Sequence, residues 1–335
     1  MTIVYAVIMF CLLIFIHELG HFVVAKACGV KVNEFALGMG PAIFKKQKGE
    51  TLYALRIIPI GGYCAMEGED EESEDERAFN NKKAWQKALI VVAGAAMNFI
   101  LCVVILIGIS TYSGTATTTI GQLTEGGPAQ QAGIQEGDRI VAVEEQQIED
   151  WSQLVTAITE AEGETITIQL ERQGQTLTVE SQLIEQDGRQ IIGIIPERDH
   201  GFLLGIKNGF KATGTMTVTM VDTFRMLFTG EVGVDELSGP VGIVYVVNDT
   251  AQYGFVYLFY LTALISLNLA IVNMLPLPAL DGGRLIFIII RKITGKAVSD
   301  ELEGKIHFAG IILLFALMIY VTWNDIIRFI VPIFN

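Results

Sequence analysis

The sequence predicts a polytopic α-helical membrane protein, with about four transmembrane helices and an inserted β-rich domain. Three observations predict it. Hydrophobic residues make up 51% of the 335 residues and charged residues 18%, whereas a water-soluble domain carries roughly 25% charged residues. The apolar residues gather into stretches as long as a bilayer core, which takes about 20 residues of helix. Between the second and third stretches lies a long polar segment whose turn signals read as β structure. The net charge of −14 repels phosphate backbones and excludes nucleic acid from the expected partners.

The elements follow in order. Residues 2–25 form the first apolar stretch. It has no basic flank before it and no small-x-small cleavage site, so it is expected to remain as a span rather than a leader. The second stretch covers about residues 84–112 and the third 253–275; a fourth, at about 307–321, continues as far as 334. The loops 26–87 and 284–305 hold 15 of the 23 Lys and Arg residues. The positive-inside rule therefore puts them in the cytoplasm, with the N-terminus and the 115–250 insert outside. The acidic run 67–76 reads as a solvated cytoplasmic linker. Cys11, Cys28, Cys64 and Cys102 show no metal or disulfide spacing and read as small hydrophobes.

Within the insert, residues 115–199 carry 16 acidic and 4 basic residues. Strands are expected at 139–143, 165–171 and 176–179, a helix at 152–160, and an edge strand at 191–195. Residues 201–229 mix apolar side chains with Lys207 and Lys211 and resemble an interfacial amphipathic helix more than a span. The chain thus divides into 1–114, 115–199, a connector 200–252, and 253–335.

The chemistry centres on His17-Glu18-Leu19-Gly20-His21. Histidines at i and i+4 project from one helix face and can converge on one metal. Glu18 beside them is placed to take a proton from a metal-bound water, and zinc is the usual ion for such ligands. Ionisable residues inside a span are functional by default. A catalytic zinc needs a third protein ligand and an open position. His200 and His307 read as structural. Asp281 is the better candidate, because it follows the third span in Asn273-Met274-Leu275-Pro276-Leu277-Pro278-Ala279-Leu280-Asp281-Gly282-Gly283. Prolines break the helix there and glycines permit tight backbone. His17 lies about 24 Å along a helix from the N-terminus, so both elements reach the cytoplasmic side.

Together, HELGH in the first span and NxxPxPxLDGG after the third resemble the site-2 protease family of intramembrane zinc metalloproteases. The similarity is closest to its bacterial branch with an external PDZ domain, the type of the regulator of sigma-E protease. The resemblance implies that His17, His21 and Asp281 bind one zinc ion and that Glu18 is the catalytic base. It also implies that Asn273 and the Gly61-Gly62-Tyr63 element, at the end of a membrane-associated β-loop, hold substrate backbone. Ala93-Gly94-Ala95-Ala96-Met97-Asn98-Phe99 is similar to the family's second-span motif, with Ala95 where proline is common. Ser238-Gly239-Pro240-Val241-Gly242-Ile243 matches another family segment. Residues 126–140 resemble a PDZ domain that gates the active site or binds peptide.

The implied activity is cleavage of single-pass membrane proteins, such as anti-sigma factors or signal-peptide remnants, in a bacterial plasma membrane with the PDZ domain extracytoplasmic. A non-catalytic PDZ scaffold binding chain termini is the alternative. A metal transporter would need an internal repeat, which the sequence lacks. Oligomeric state is left open by the sequence.

Overall fold

The computed structural model describes residues 2–69, 73–186, 188–233, 236–295 and 300–334; residues 70–72 of the acidic run lie outside these. Helix α1 (Thr2–Ala27) leads into a hairpin of β1 (Val32–Lys48) and β2 (Thr51–Met66), then α2 (Ala84–Ser113). The insert follows as β3 (Thr115–Leu123), α3 (Pro128–Gln131), β4 (Arg139–Val143), β5 (Gln146–Gln147), α4 (Trp151–Thr159), β6 (Thr165–Arg172), β7 (Gln175–Gln182), β8 (Ile184–Gln186), β9 (Arg189–Ile191) and β10 (Ile194–Asp199). Helices α5 (Phe202–Thr229), α6 (Pro240–Gln252), α7 (Phe255–Asn273), α8 (Asp281–Thr294) and α9 (Asp300–Asp325) complete the chain, with a π-turn at Ile326–Ile330 and a last short helix α10 (Val331–Phe334). Two compact units result, one of residues 1–106 and 210–335, the other Ile107–Gly209.

Among the described residues, four helices are long and apolar enough to cross a membrane: Val4–Ala27, Ala84–Ser113, Phe255–Asn273 and Leu302–Ile330. A helix satisfies its own backbone, which is why apolar runs of this length become helices in lipid. The last helix starts at Asp300, earlier than the apolar run; Glu301, Leu302, Glu303 and Lys305 favour helix there and outweigh Gly304. Helix α5 lies outside this set of spans. The β1–β2 hairpin is antiparallel and irregular in register. Its side chains Met39, Ile43, Phe44, Leu55, Ile57 and Ile58 are exposed, an apolar surface too large for a water-facing loop.

The second unit is built on an antiparallel sheet in the order β10-β3-β4-β6-β7, with β5 paired to β4. Strands β6 and β7 pair from Thr165↔Gln182 to Arg172↔Gln175, so Gln173 and Gly174 form a two-residue hairpin turn; both have positive φ, as the twist of paired strands favours. Helix α4 starts where Asp150 accepts a hydrogen bond from the Gln153 N–H at 2.9 Å, a side-chain N-cap. Its Leu154 and Ile158, four residues apart, enter the core with Ile120, Ile140, Ile166, Ile168 and Leu170. Each such side chain contributes about 1.5–3 kcal/mol on burial. The segment expected as one strand at 191–195 is divided: Ile191 ends β9 and Ile194 begins β10, with buried Ile192 between them.

The acidic run is less solvated than expected. Glu67 accepts hydrogen bonds from Asn33 at 2.9 Å, Ser73 at 2.7 Å and Lys31 at 3.2 Å. Those donors hold its carboxyl down to about 2. Glu69 forms an ion pair with Arg284. The pattern of like charges gave no hint of these partners, because all but Ser73 are brought in from other parts of the chain.

Candidate active site

The site assembles from α1, α2, β2 and the turn between α7 and α8. On α1, His17 and His21 stand one turn apart, with their Nε2 atoms 3.3 Å from each other. The Asp281 Oδ2 lies 3.4 Å from His17 Nε2 and 3.5 Å from His21 Nε2. That oxygen is buried and has no hydrogen-bond partner among the described residues. Ligand atoms held about 2.0–2.1 Å from a tetrahedral zinc are about 3.3 Å apart, so the three observed separations fit a single ion. The donor set, two imidazoles and a carboxylate, is also one that zinc accepts.

His21 is the better fixed of the pair. Its Nδ1 is 2.8 Å from the carbonyl oxygen of Ile90 in α2. A carbonyl only accepts, so Nδ1 carries the proton and Nε2 presents its lone pair to the cluster. This bond requires α1 and α2 to approach closely. At Gly94, a Cβ would run into His21 Nε2 and lie 2.7 Å from His17 Cε1; at Gly20, it would run into the Ala93 carbonyl. Small residues at these crossings let the backbones meet. The Ala95 departure from the family pattern leaves α2 helical and Ala95 buried.

Asp281 arrives through a broken helix. Helix α7 ends at Asn273, residues 275–280 turn back, and α8 begins at Asp281 itself. Cβ atoms at Gly282 and Gly283 would overlap the carbonyls of Leu275 and Leu277, so the turn closes only over glycine. A carboxylate in the first turn of a helix is favoured by the unpaired N–H groups there. Sequence reasoning missed one support of this turn. The N–H of Ala279, whose φ is +73°, donates to His307 Nδ1 at 2.9 Å. The structure thus gives His307 a positioning contact across 28 residues, which no local pattern signals.

Glu18 shares the α1 face with the β2 backbone. A Cβ on Gly62 would sit 3.3 Å from Glu18 Cγ and 3.0 Å from the Ala36 carbonyl. Gly61, Gly62 and Tyr63 lie within β2 rather than after it, opposite Leu37 and Ala36 of β1. The Tyr63 hydroxyl accepts from Arg56, which pairs with Glu34 at 2.6 Å. Asn273 is half-buried at the end of α7 and makes none of the cluster's hydrogen bonds or ion pairs among the described residues. His200 belongs to the second unit, against Gly114.

Comparison with known proteins agrees with this arrangement. Peptidase family M50 matches residues 5–317. A protein of Clostridium acetobutylicum is 39% identical over 330 residues, covering 97% of both chains. The zinc metalloprotease RasP of Geobacillus kaustophilus is 32% identical over 413 aligned positions, and the regulator of sigma-W protease RasP of Bacillus subtilis is 31% identical over 415; each match covers 98% of both chains. These alignments run longer than 335 residues, so both RasP chains carry segments this one lacks. With four apolar spans and a family match over most of its length, the chain belongs to peptidase family M50 and is a multi-pass membrane zinc metalloprotease.

Proposed function

We propose that this protein is an intramembrane endopeptidase that cuts single-pass membrane proteins, with His17, His21 and Asp281 holding its zinc ion and Glu18 as general base. The observation that carries the reading is the triangle of ligand atoms 3.3–3.5 Å apart, with its two histidines inside an apolar span. Zinc, when bound, supplies a Lewis acid that lowers the pKa of water and polarises a peptide carbonyl. Glu18 takes the proton released by the attacking water and passes it to the leaving amine nitrogen. His21, tied to Ile90, keeps its lone pair aimed at the ion.

A peptide bond in a helix is hydrogen-bonded and shielded, so the substrate must first become extended. The Gly61-Gly62-Tyr63 segment of β2 beside Glu18 offers backbone for strand addition, and Asn273 an amide for the same task. The insert reads as a PDZ domain on the extracytoplasmic side of a bacterial plasma membrane. Among the described residues its strand β10 pairs only with β3, which leaves an edge for a peptide and a body able to exclude substrates with bulky ectodomains. The name of the B. subtilis relative, regulator of sigma-W protease, supports membrane-bound anti-sigma factors as substrates; signal-peptide remnants have the same single-helix chemistry.

The test uses the full chain in liposomes with a tagged single-pass substrate bearing a short ectodomain. Cleavage is expected from the wild type, absent after chelation and restored by zinc. Cleavage that survives chelation would overturn the assignment, as would cleavage of soluble unfolded peptides alone.

A further inference from the structure

We propose that a cavity of about 1060 Å³ at the polar ends of α2, α8 and α9 binds the phosphate headgroup of an anionic phospholipid. It goes beyond the protease reading, and its cations come from loops that the positive-inside rule turns toward the anionic cytoplasmic leaflet.

Charge is the first argument. In a chain of net charge −14, the cavity gathers Lys83, Lys87, Arg284, Arg291 and Lys292 against the carboxylates of Glu69 and Glu303. Three of these cations are already engaged. Arg291 pairs with Glu303 at 2.7 Å and Arg284 with Glu69. Lys87 donates to the Asn80 carbonyl at 2.8 Å and lies over the Phe79 ring. Lys83 and Lys292 are exposed and have no ion-pair partner among the described residues. They come from different elements, the residue before α2 and the last turn of α8, so the cavity gathers two cations that local sequence does not bring together.

The second argument is the lining that a free anion would not need. Trp85, Ile289 and Ile293 border the same cavity and are 61%, 45% and 77% exposed. Helix α8 therefore shows cations and apolar side chains to one space, the pattern of a helix lying at a bilayer surface, and an indole at that level is an interfacial anchor. A ligand with a phosphodiester and an acyl chain satisfies both parts. Helix α8 also begins with Asp281, so a lipid bound there would steady the helix that delivers the aspartate.

The test titrates purified full chain in detergent micelles with phosphatidylglycerol, phosphatidylcholine and glycerol phosphate, counting bound ligand by native mass spectrometry. Micelles expose every surface, so a wrong membrane orientation leaves the result unchanged, and no cleavage is measured. Phosphatidylglycerol should bind best. At about 1 kcal/mol per cation, Lys83→Gln with Lys292→Gln should weaken it roughly 30-fold, while Lys83→Arg with Lys292→Arg retains it. Lys45→Gln with Lys46→Gln, the same charge change on the exposed hairpin, should leave it intact. Equal binding of phosphatidylcholine, equal binding of glycerol phosphate, or an equal loss in the hairpin variant would each overturn the proposal. Loss in the arginine variant would do the same.

Discussion

The two units of this protein differ in how they treat large apolar side chains: the insert covers most of them, whereas the helical unit covers some, such as Leu13, Ile90 and Leu267, and exposes many others. In the insert, the covered side chains are large and aliphatic: Ile140, Ile166, Ile168 and Leu170 are all within 1% of full burial, while the surface is acidic. In the helical unit, large apolar side chains such as Leu313, Phe315 and Ile319 are exposed, and the covered positions include Gly94, Ala95, Asn98, Thr262 and Ser266. The Ser266 hydroxyl donates to the Asn98 carbonyl at 2.8 Å. Asp325 accepts from the N–H of Gly242 at 2.8 Å and of Gly239 at 3.2 Å, capping α6 with a residue from another helix. Water drives large apolar groups inward; lipid does not, so close approach and hydrogen bonding select what is inside. The second kind of interior is where a metal cluster can be placed, because its small and polar positions leave room for imidazoles.

The comparison can be sharpened by substitution. Glu18→Gln changes no volume in the helical unit, so zinc content should persist while cleavage falls by roughly 10²–10⁴-fold, the usual worth of a general base; metal analysis beside a cleavage assay checks both halves. Next come matched truncations. Ile168→Ala in the insert should cost about 2–5 kcal/mol, whereas Ile319→Ala on a lipid-facing surface should stay within about 0.5 kcal/mol. Hydrogen exchange on the full chain in nanodiscs would read both, and equal losses would break the contrast.

Gly94→Ala tests the tight interior directly. The added methyl meets His21 and His17, so zinc affinity should fall on the order of 100-fold, measured by competition with a chelator; Gly214→Ala, in α5 with open space around it, should leave zinc unchanged. The smallest effect belongs to the insert's buried carboxylate. Burial disfavours ionised Asp138, but Arg172 at 2.7 Å and the Gln135 N–H at 2.8 Å hold its carboxyl below the usual carboxylate range. A depressed folded pKa stabilises above the unfolded value and loses that contribution as pH falls through the folded one. Protection of insert amides, corrected for intrinsic exchange, should therefore drop below about pH 4. Arg172→Gln should remove roughly 1–3 kcal/mol already at neutral pH.

The local features were legible along the chain. Apolar run length determined the four spans, i and i+4 spacing put His17 and His21 on one face, and alternation with turn residues located β4, β6 and β7. Each rests on a period or a composition contained within one element, which is why it is legible without neighbours. The proline and glycine pattern likewise announced a broken backbone before Asp281. It took the packed helices to bring Asp281 Oδ2 within 3.5 Å of both imidazoles, to set the His21 tautomer through Ile90, to put His307 under the turn and to pair Glu69 with Arg284. These contacts join residues 28 to 264 positions apart. Their geometry is set by how closely helices approach, a property of side-chain volume at crossings that leaves no periodic trace along the chain.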